Sequence, residues 1–318
     1  MELAKNTNEN SGSSNITAFS HVPVLHNTIY RNANTDRFSK KEQVVPIVLI
    51  HGFPVDHRMW DECAKELNKL IDNAVKSGTL NYDTPIFAPD MPGAGLSEIP
   101  SSEQTGAIAQ DGAYTEALDK VAAAYVKLIL DSGYKRAFWV GLSMGGYVAL
   151  AIQKLFPDSV AAIALCDTKS TADNAEHRAD RIRIAHICEQ LHTFDPVMHF
   201  AKAKETDSSI KKTADFCKRF ENWITQQPTA GIAWRERMAA GREDLTDQLA
   251  KITAPVAIVS GNLDPSSSPT VMKPYVKEIS ASSNVSFTEI DDCGHFSATE
   301  HPDEVAKALF DVLAQVRR

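Results

Sequence analysis

The sequence predicts an α/β fold: a mostly parallel central sheet flanked by helices, with a helical cap inserted into it. Three observations carry that prediction. Short apolar runs alternate with amphipathic helical patterns along most of the chain. Several of these runs are apolar throughout rather than alternating, as strands covered on both faces must be. The alternation then stops over residues 168–248, which hold helical patterns and no convincing strand.

Residues 1–21 are rich in Asn, Ser and Thr and bring too little apolar surface to order themselves, so a disordered tail is expected as far as Val22. Strands are predicted at Pro46–His51 (PIVLIH), Pro85–Ala88 (PIFA), Ala137–Val140 (AFWV), Val160–Leu165 (VAAIAL), Val256–Ser260 (VAIVS) and Val285–Ile290 (VSFTEI). Helical faces fall between them. Trp60, Cys63, Leu67 and Leu70 mark the first, and Tyr114, Leu118, Val121, Tyr125 and Leu128 the second, which runs to about Leu130. A third helix follows Ser143 directly, turns Val148, Ala149, Ile152 and Leu155 to one side, and stops before Pro157. The last begins after Thr299 and buries Val305, Leu309 and Val312. It has Asp303 and Glu304 in its first turn and Arg317 and Arg318 at its end, the charge order a helix dipole favours. Strands and helices in this order specify a parallel sheet with helices on both faces.

The interrupted segment contains helical stretches at Ala179–Leu191, Ser209–Thr225 and Thr229–Ala240. At about eighty residues it is too long for a simple connection in a compact domain. The expected division is therefore a core of residues 22–167 and 249–318, with residues 168–248 as a helical cap over the carboxyl edge of the sheet.

Composition narrows the function. The chain has 318 residues and a formal net charge of -8, a balance that repels phosphate backbones and argues against nucleic acid as a partner. Five scattered cysteines show neither CxxC nor metal-ligand spacing and read as thiols in a reducing compartment. The amino terminus lacks the apolar stretch of a signal peptide, and no apolar run reaches the roughly 18 residues of a membrane span, so a cytoplasmic protein is expected. No histidine–carboxylate set has convincing ligand spacing, so neither a metal nor an organic cofactor is expected. No feature of the sequence sets the oligomeric state.

The sharpest motif is GLSMG, Gly141–Gly145, lying between the strand AFWV and a helical run. A strand that turns abruptly into a helix exposes its central serine at the end of the sheet, and the turn leaves no room for side chains at Gly141 and Gly145. Ser143 then sits beside a helix amino terminus, where free amides stabilise developing negative charge. These features make Ser143 the candidate nucleophile. A hydroxyl needs a base. Of the ten histidines, His295 in DDCGHFS follows the last strand and precedes the last helix, which places it at the same end of the sheet as Ser143.

The base in turn needs an acid on its far nitrogen. Asp264 in SGNLDP follows the next-to-last strand and is the first choice; Asp167, one strand earlier, is its rival. Asp291 and Asp292 stand too near His295 for an easy approach to the ring. The tetrahedral intermediate needs amide donors, for which the candidates are the N–H groups of Met144 and of Phe53 in HGFP. His51 is expected to hold that loop, and Asp56 and His57 either to line the entrance or to serve structure. DMPGAGLS, Asp90–Ser97, lacks GxGxxG and a Walker lysine and reads as a supporting loop.

HGFP, DMPGAGLS, GLSMGG, GNLD and GHF together resemble the alpha/beta-hydrolase superfamily, from about Val22 to Arg318. The resemblance implies an alpha/beta-hydrolase fold with Ser143, Asp264 and His295 as catalytic residues and Phe53 and Met144 at the oxyanion hole. The stretches DTKSTADNAEHRADRIRIA and IAWRERMAAGRED resemble the helical cap of a subgroup that includes small carboxylesterases and enol-lactone hydrolases. Departures are HGFP in place of the common HGxG, and longer stretches at Glu66–Asn81 and Glu98–Gly112.

The resemblance implies a serine hydrolase, first a carboxylesterase acting on a small ester through an acyl-enzyme. Enol-lactone hydrolysis, C–C bond hydrolysis, aminopeptidase action and acyl transfer are alternatives on the same scaffold; a non-catalytic small-molecule binder is the alternative of another class. Epoxide hydrolases carry an aspartate where this chain has Ser143. The cap is expected to shape the pocket, with Ile187, Leu191, Phe194, Met198, Phe220, Trp223 and Trp234 as candidate apolar lining, although many of them are expected to pack the cap helices together instead.

Overall fold

A computed structural model describes residue 16 and residues 19–33, 44–80 and 83–316. Most of the expected disordered tail lies outside the described residues. Its last part corrects the expectation: Phe19 packs on Phe156, ring centroids 5.7 Å apart, so order reaches upstream of Val22.

Seven strands form one sheet in the order β1-β3-β2-β4-β5-β6-β7. The strands β2 (Ile47–Ile50), β3 (Ile86–Pro89), β4 (Ala137–Leu142), β5 (Val160–Cys166), β6 (Val256–Gly261) and β7 (Val285–Ile290) fall on the six predicted runs. They pair in parallel throughout. The edge strand β1 (Asn27–Arg31) was not predicted and runs antiparallel to β3. Its sequence, NTIYR, is short and only half-buried, which leaves it without the continuous apolar signature of the inner strands.

Helices α1 (Asp61–Ser77), α2 (Ala117–Asp131), α3 (Met144–Leu155) and, at the end of the chain, α7 (Pro302–Leu313) cover the sheet. α1 packs against α7, and α2 against α3. From β2 the chain crosses through α1 to β3 on one side, then through α2 back to β4 on the other. The topology therefore reverses between β2 and β4, which are hydrogen-bonded neighbours with Ile50 opposite Gly141. Such a reversal leaves a crevice beyond the carboxyl ends of the two strands, where ligands bind in open α/β sheets. HGFP leaves the end of β2 and GLSMG the end of β4, so sheet topology alone brings these motifs together.

Between β5 and β6 the described residues contain no strand. They form α4 (Ala175–Gln190), a 3-10 turn at Asp195–Ala201, α5 (Ala214–Thr225) and α6 (Thr229–Gly241). Side-chain caps move two of the predicted boundaries. Asn174 accepts from His177 N–H at 2.8 Å and starts α4 earlier than expected. Thr213 accepts from Phe216 N–H at 3.2 Å and starts α5 later, leaving 209–213 outside the helix. α6 is buried on nearly every side, Arg235 and Glu236 included, and packs against α4 and α2. It meets DMPGAGLS backbone to backbone: a Cβ on Gly231 would lie 2.0 Å from the carbonyl oxygen of Gly93.

The long stretch at Glu98–Gly112 braces the same helices. Asp111 pairs with Arg178 of α4 at 2.6 Å, and Gly112 accepts from Arg237 of α6. Thr105 Oγ1 accepts from Trp234 Nε1. This stretch thus serves to seat α4 and α6.

Candidate active site

Ser143 stands between β4 and α3 with φ 53° and ψ -115°, a backbone conformation that residues with a side chain rarely adopt. It is held there by crowding: a Cβ at Gly145 would lie 2.1 Å from the carbonyl oxygen of Ile50, so the first turn of α3 presses on β2. Thr168 Oγ1 donates to the Ser143 carbonyl at 2.6 Å and pins the turn from the far side. Strain of this kind persists only where the surroundings enforce it. Here it projects the hydroxyl from the end of the sheet.

His295 Nε2 lies 2.8 Å from Ser143 Oγ, and its Nδ1 lies 2.8 Å from Asp264 Oδ2. An ionised carboxylate can only accept, so Nδ1 carries the proton and Nε2 is left to accept from the serine hydroxyl. Asp264 is almost fully buried, and its other oxygen accepts from Ser266 N–H at 2.8 Å. Burial lowers the pKa of His295, but the Asp264 carboxylate outweighs it, with Asp167 and Glu300 adding to the effect, so the imidazole titrates above its ordinary value. For Asp264 burial acts upward, and His295 and the amides at Ser266 and Ser267 carry it below the usual carboxylate range.

The rival Asp167 is placed otherwise. Its oxygens accept from Gly261 N–H at 3.0 Å and Ser297 N–H at 3.1 Å, tying the end of β6 to the backbone just past His295. Burial and the charge of Asp264 push its pKa up. Asp291 accepts from Asn262, and Asp292 from Ser209, so neither is turned to the imidazole.

Phe53, Ser143, Met144, Asp264 and His295 border one cavity of about 590 Å³. Met144 N–H heads α3, where amides have no partner within the helix. The Phe53 loop is fixed on both sides. His51 Nε2 accepts from Met91 N–H at 2.8 Å, so its Nδ1 donates to the Gly52 carbonyl at 2.9 Å. Burial drives the pKa of His51 down to about 4, which keeps this tie neutral. On the other side Arg235 of α6, fully buried, donates to the carbonyls of Val55 at 2.9 Å and Pro54 at 3.4 Å and stacks over the Phe53 ring. Sequence reading missed Arg235: nothing in IAWRERMAAGRED marks which of its arginines turns inward.

A family model for the alpha/beta hydrolase family matches residues 47–308. The chain belongs to the alpha/beta hydrolase family. A curated relative, a juvenile hormone epoxide hydrolase of Bombyx mori, is 27% identical over 126 residues, which are 40% of this chain and only 24% of that protein. Among solved structures, a thermophilic esterase from Thermogutta terrifontis with malate bound superposes with a TM-score of 0.72 at 24% identity, covering 92% of this chain and 94% of the esterase. An enol-lactonase from Burkholderia xenovorans gives 0.64 at 20% identity, covering 91% and 96%. At such identities these likenesses speak for the fold, and it is the fold that the five motifs pointed to.

Of the two readings open for Asp56 and His57, the structure favours the structural one, since neither borders the cavity. Asp56 accepts from Arg58 and Gln227, and His57 pairs with Asp90 at 2.7 Å. Asp56, His57 and Asp90 stand close enough to hold a metal ion, but their ligand atoms already meet protein groups, including Leu96 N–H on Asp90, and they form a hydrogen-bonded brace.

Of the seven candidates for the apolar lining none borders the cavity, so the packing reading prevails over the lining one. Phe220 and Trp223 join Phe216 and Phe296 in an aromatic cluster, Trp234 packs on Tyr114, and Leu191 points to solvent. The helical segment instead contributes Arg181, His199, Phe200, Lys204, Thr206, Asp207 and Lys211. Apolar residues on an amphipathic helix pack where they exclude most water, which here is between helices. Apart from Arg181 on α4, this lining comes from the 3-10 turn and the loop after it, where periodicity gives no signal.

All five cysteines are unpaired, and four are buried. Among the described residues no helix is long and apolar enough to cross a membrane.

Proposed function

We propose that the protein is a serine hydrolase that cleaves a small carboxylic ester through an acyl-enzyme, with residues 168–248 acting as a cap over its site. The observation that carries the reading is the hydrogen-bonded chain Ser143–His295–Asp264, with both links at 2.8 Å, on the wall of a cavity. Neither simple binding nor packing calls for a strained serine aimed at a histidine that is in turn fixed by a buried acid.

In the proposed reaction Ser143 Oγ adds to the substrate carbonyl carbon as its proton passes to His295 Nε2. The carbonyl electrons move to oxygen, which Met144 and Phe53 N–H stabilise in the positions assigned to them. The intermediate collapses, and the departing alkoxide takes the proton from His295, leaving acyl-Ser143. A water then repeats the sequence: its proton goes to His295, its oxygen to the acyl carbon, and collapse returns the proton to Ser143 and frees the acid. Asp264 remains ionised and holds the imidazolium that forms in each half. No metal or cofactor enters these steps.

The test is an assay of the purified protein against p-nitrophenyl esters, lactones and aminoacyl amides. Ester turnover above the other classes supports the proposal. Turnover confined to lactones or amides would move it elsewhere on the scaffold, and no turnover of any class would favour a binding protein.

A further inference from the structure

Glu300 is a buried carboxylate that the proposed reaction does not use. It lies at the end of a short helical turn, Ser297–Glu300, and reaches back to the segment that carries His295. Its Oε2 accepts from Gly294 N–H at 2.8 Å and its Oε1 from Phe296 N–H at 3.1 Å, so one side chain grips the backbone on both sides of the histidine. The same Oε2 accepts from Ser208 Oγ at 2.5 Å. Ser208 belongs to the cap and is fully buried, and its hydroxyl in turn accepts from Lys211 N–H at 3.0 Å. Lys211 borders the cavity. A continuous path thus runs from the cavity wall through Lys211, Ser208 and Glu300 to the peptide groups that set the position of His295. A second cap contact lies alongside, Ser209 N–H to Asp292 at 2.9 Å, so the loop after the 3-10 turn is fastened to the histidine segment at two points.

We infer that Glu300 is a positioning residue that holds His295 against Ser143 and, through Ser208, makes that alignment depend on the seating of the cap loop 204–211. The inference rests on the serine-hydrolase reading and adds to it a coupling between the pocket wall and the base. The physical reason is the cost of misplacement. A shift of the imidazole by about 1 Å lowers the rate on the order of a hundred-fold, and a buried carboxylate that accepts from three donors holds the backbone on both sides of the ring in place. A substrate that presses on the cap loop would act on the base through the same bonds.

The charged groups that act on His295 are Asp264 from the loop after β6, Asp167 from the end of β5 and Glu300 from its own segment, and Arg181, His199, Lys204, Asp207 and Lys211 border the same cavity. Removing the Glu300 charge takes away one of the three carboxylates that raise the pKa of the imidazole, and so moves the acidic limb of kcat/KM to lower pH.

The experiment compares Glu300→Gln and Ser208→Ala with the unmodified protein in kcat, KM, pH profile and thermal unfolding on the best ester. Glu300→Gln should lower kcat by about ten- to a hundred-fold with KM nearly unchanged and move the acidic limb down. Ser208→Ala leaves the Glu300 grip on the two amides in place and should lower kcat by about five-fold, the size of one hydrogen bond, with the limb unmoved. A folded Glu300→Gln protein with unchanged kcat overturns the inference, as does one whose kcat falls while its acidic limb stays put, because a merely structural role would do that. If Glu300→Gln does not fold, Ser208→Ala decides: a lowered kcat at an unchanged unfolding temperature supports the coupling, and an unchanged kcat overturns it. Ser143→Ala separates this test from the underlying reading. Activity surviving in Ser143→Ala refutes the reading itself, whereas an inactive Ser143→Ala beside a fully active Glu300→Gln refutes only the role of Glu300.

Discussion

Asp167 accepts a hydrogen bond from Ser297 N–H at 3.1 Å, which places its carboxylate under the backbone two residues past His295 and away from the ring edge that Asp264 occupies. The two acids follow neighbouring parallel strands and share an electrostatic environment, yet they have different work. Asp264→Asn should lower kcat by about two to four orders of magnitude, because an amide at Nδ1 favours the wrong tautomer. Asp167→Asn should cost far less in kcat. It should lower thermal stability, since one of two buried amides loses its acceptor at about 1–3 kcal/mol. Parallel kinetics and unfolding curves of the two variants check this, and equal loss of kcat would return Asp167 to contention.

Ser143→Ala should abolish turnover by at least about three orders of magnitude while unfolding at nearly the same temperature, because a hydroxyl removed from the cavity wall opens no space in the core. Ester hydrolysis near the unmodified rate by folded Ser143→Ala would end the proposal.

The pH profile follows from His295, which must be neutral to accept the serine proton. After the opposing effect of burial, Asp264, Asp167 and Glu300 hold its pKa above the ordinary value. The acidic limb of kcat/KM should therefore lie above the usual histidine midpoint of about 6.5, with activity rising as pH climbs through it. A limb well below that midpoint would mean that a different group acts as the base.

Selectivity for acyl length should track the residues that border the cavity. Phe200→Ala, on the 3-10 turn, should change the kcat/KM ratio between short and long acyl esters by an amount worth about 1–3 kcal/mol. Phe220→Ala, inside the aromatic cluster, should lower stability by about 3–5 kcal/mol with that ratio little changed. Chain-length profiles beside unfolding temperatures distinguish the two. Unchanged selectivity in both would place the determinant outside residues 168–248.

Dialysis against EDTA should leave ester hydrolysis intact, since Ser143, His295 and the two amides supply nucleophile, base and oxyanion donors. Activity lost on dialysis and restored by one divalent ion would require a metal-dependent mechanism, and the Asp56, His57 and Asp90 cluster would then be the first place to look.

The sequence by itself determined the inner sheet and two residues of the hydrogen-bonded chain, Ser143 and His295, with Asp264 put ahead of Asp167 as the third. Strands buried on both faces have to be apolar throughout, and a strand–turn–helix around a serine has to carry glycines where backbones touch. Both requirements write themselves into composition at fixed positions. Only the tertiary structure decided between Asp264 and Asp167, because each follows a neighbouring strand of the same parallel sheet, and the direction of a side chain depends on which donors the neighbouring loops present. It also decided the cavity wall. The apolar periodicity of the helices between β5 and β6 records burial without saying against what, and the interior between helices took Phe220, Trp223 and Trp234. The roles of Arg235 and Glu300 were out of reach for a related reason: a buried charge is stabilised by backbone carbonyls or amides far away in sequence, and those partners leave no mark on the residues around it.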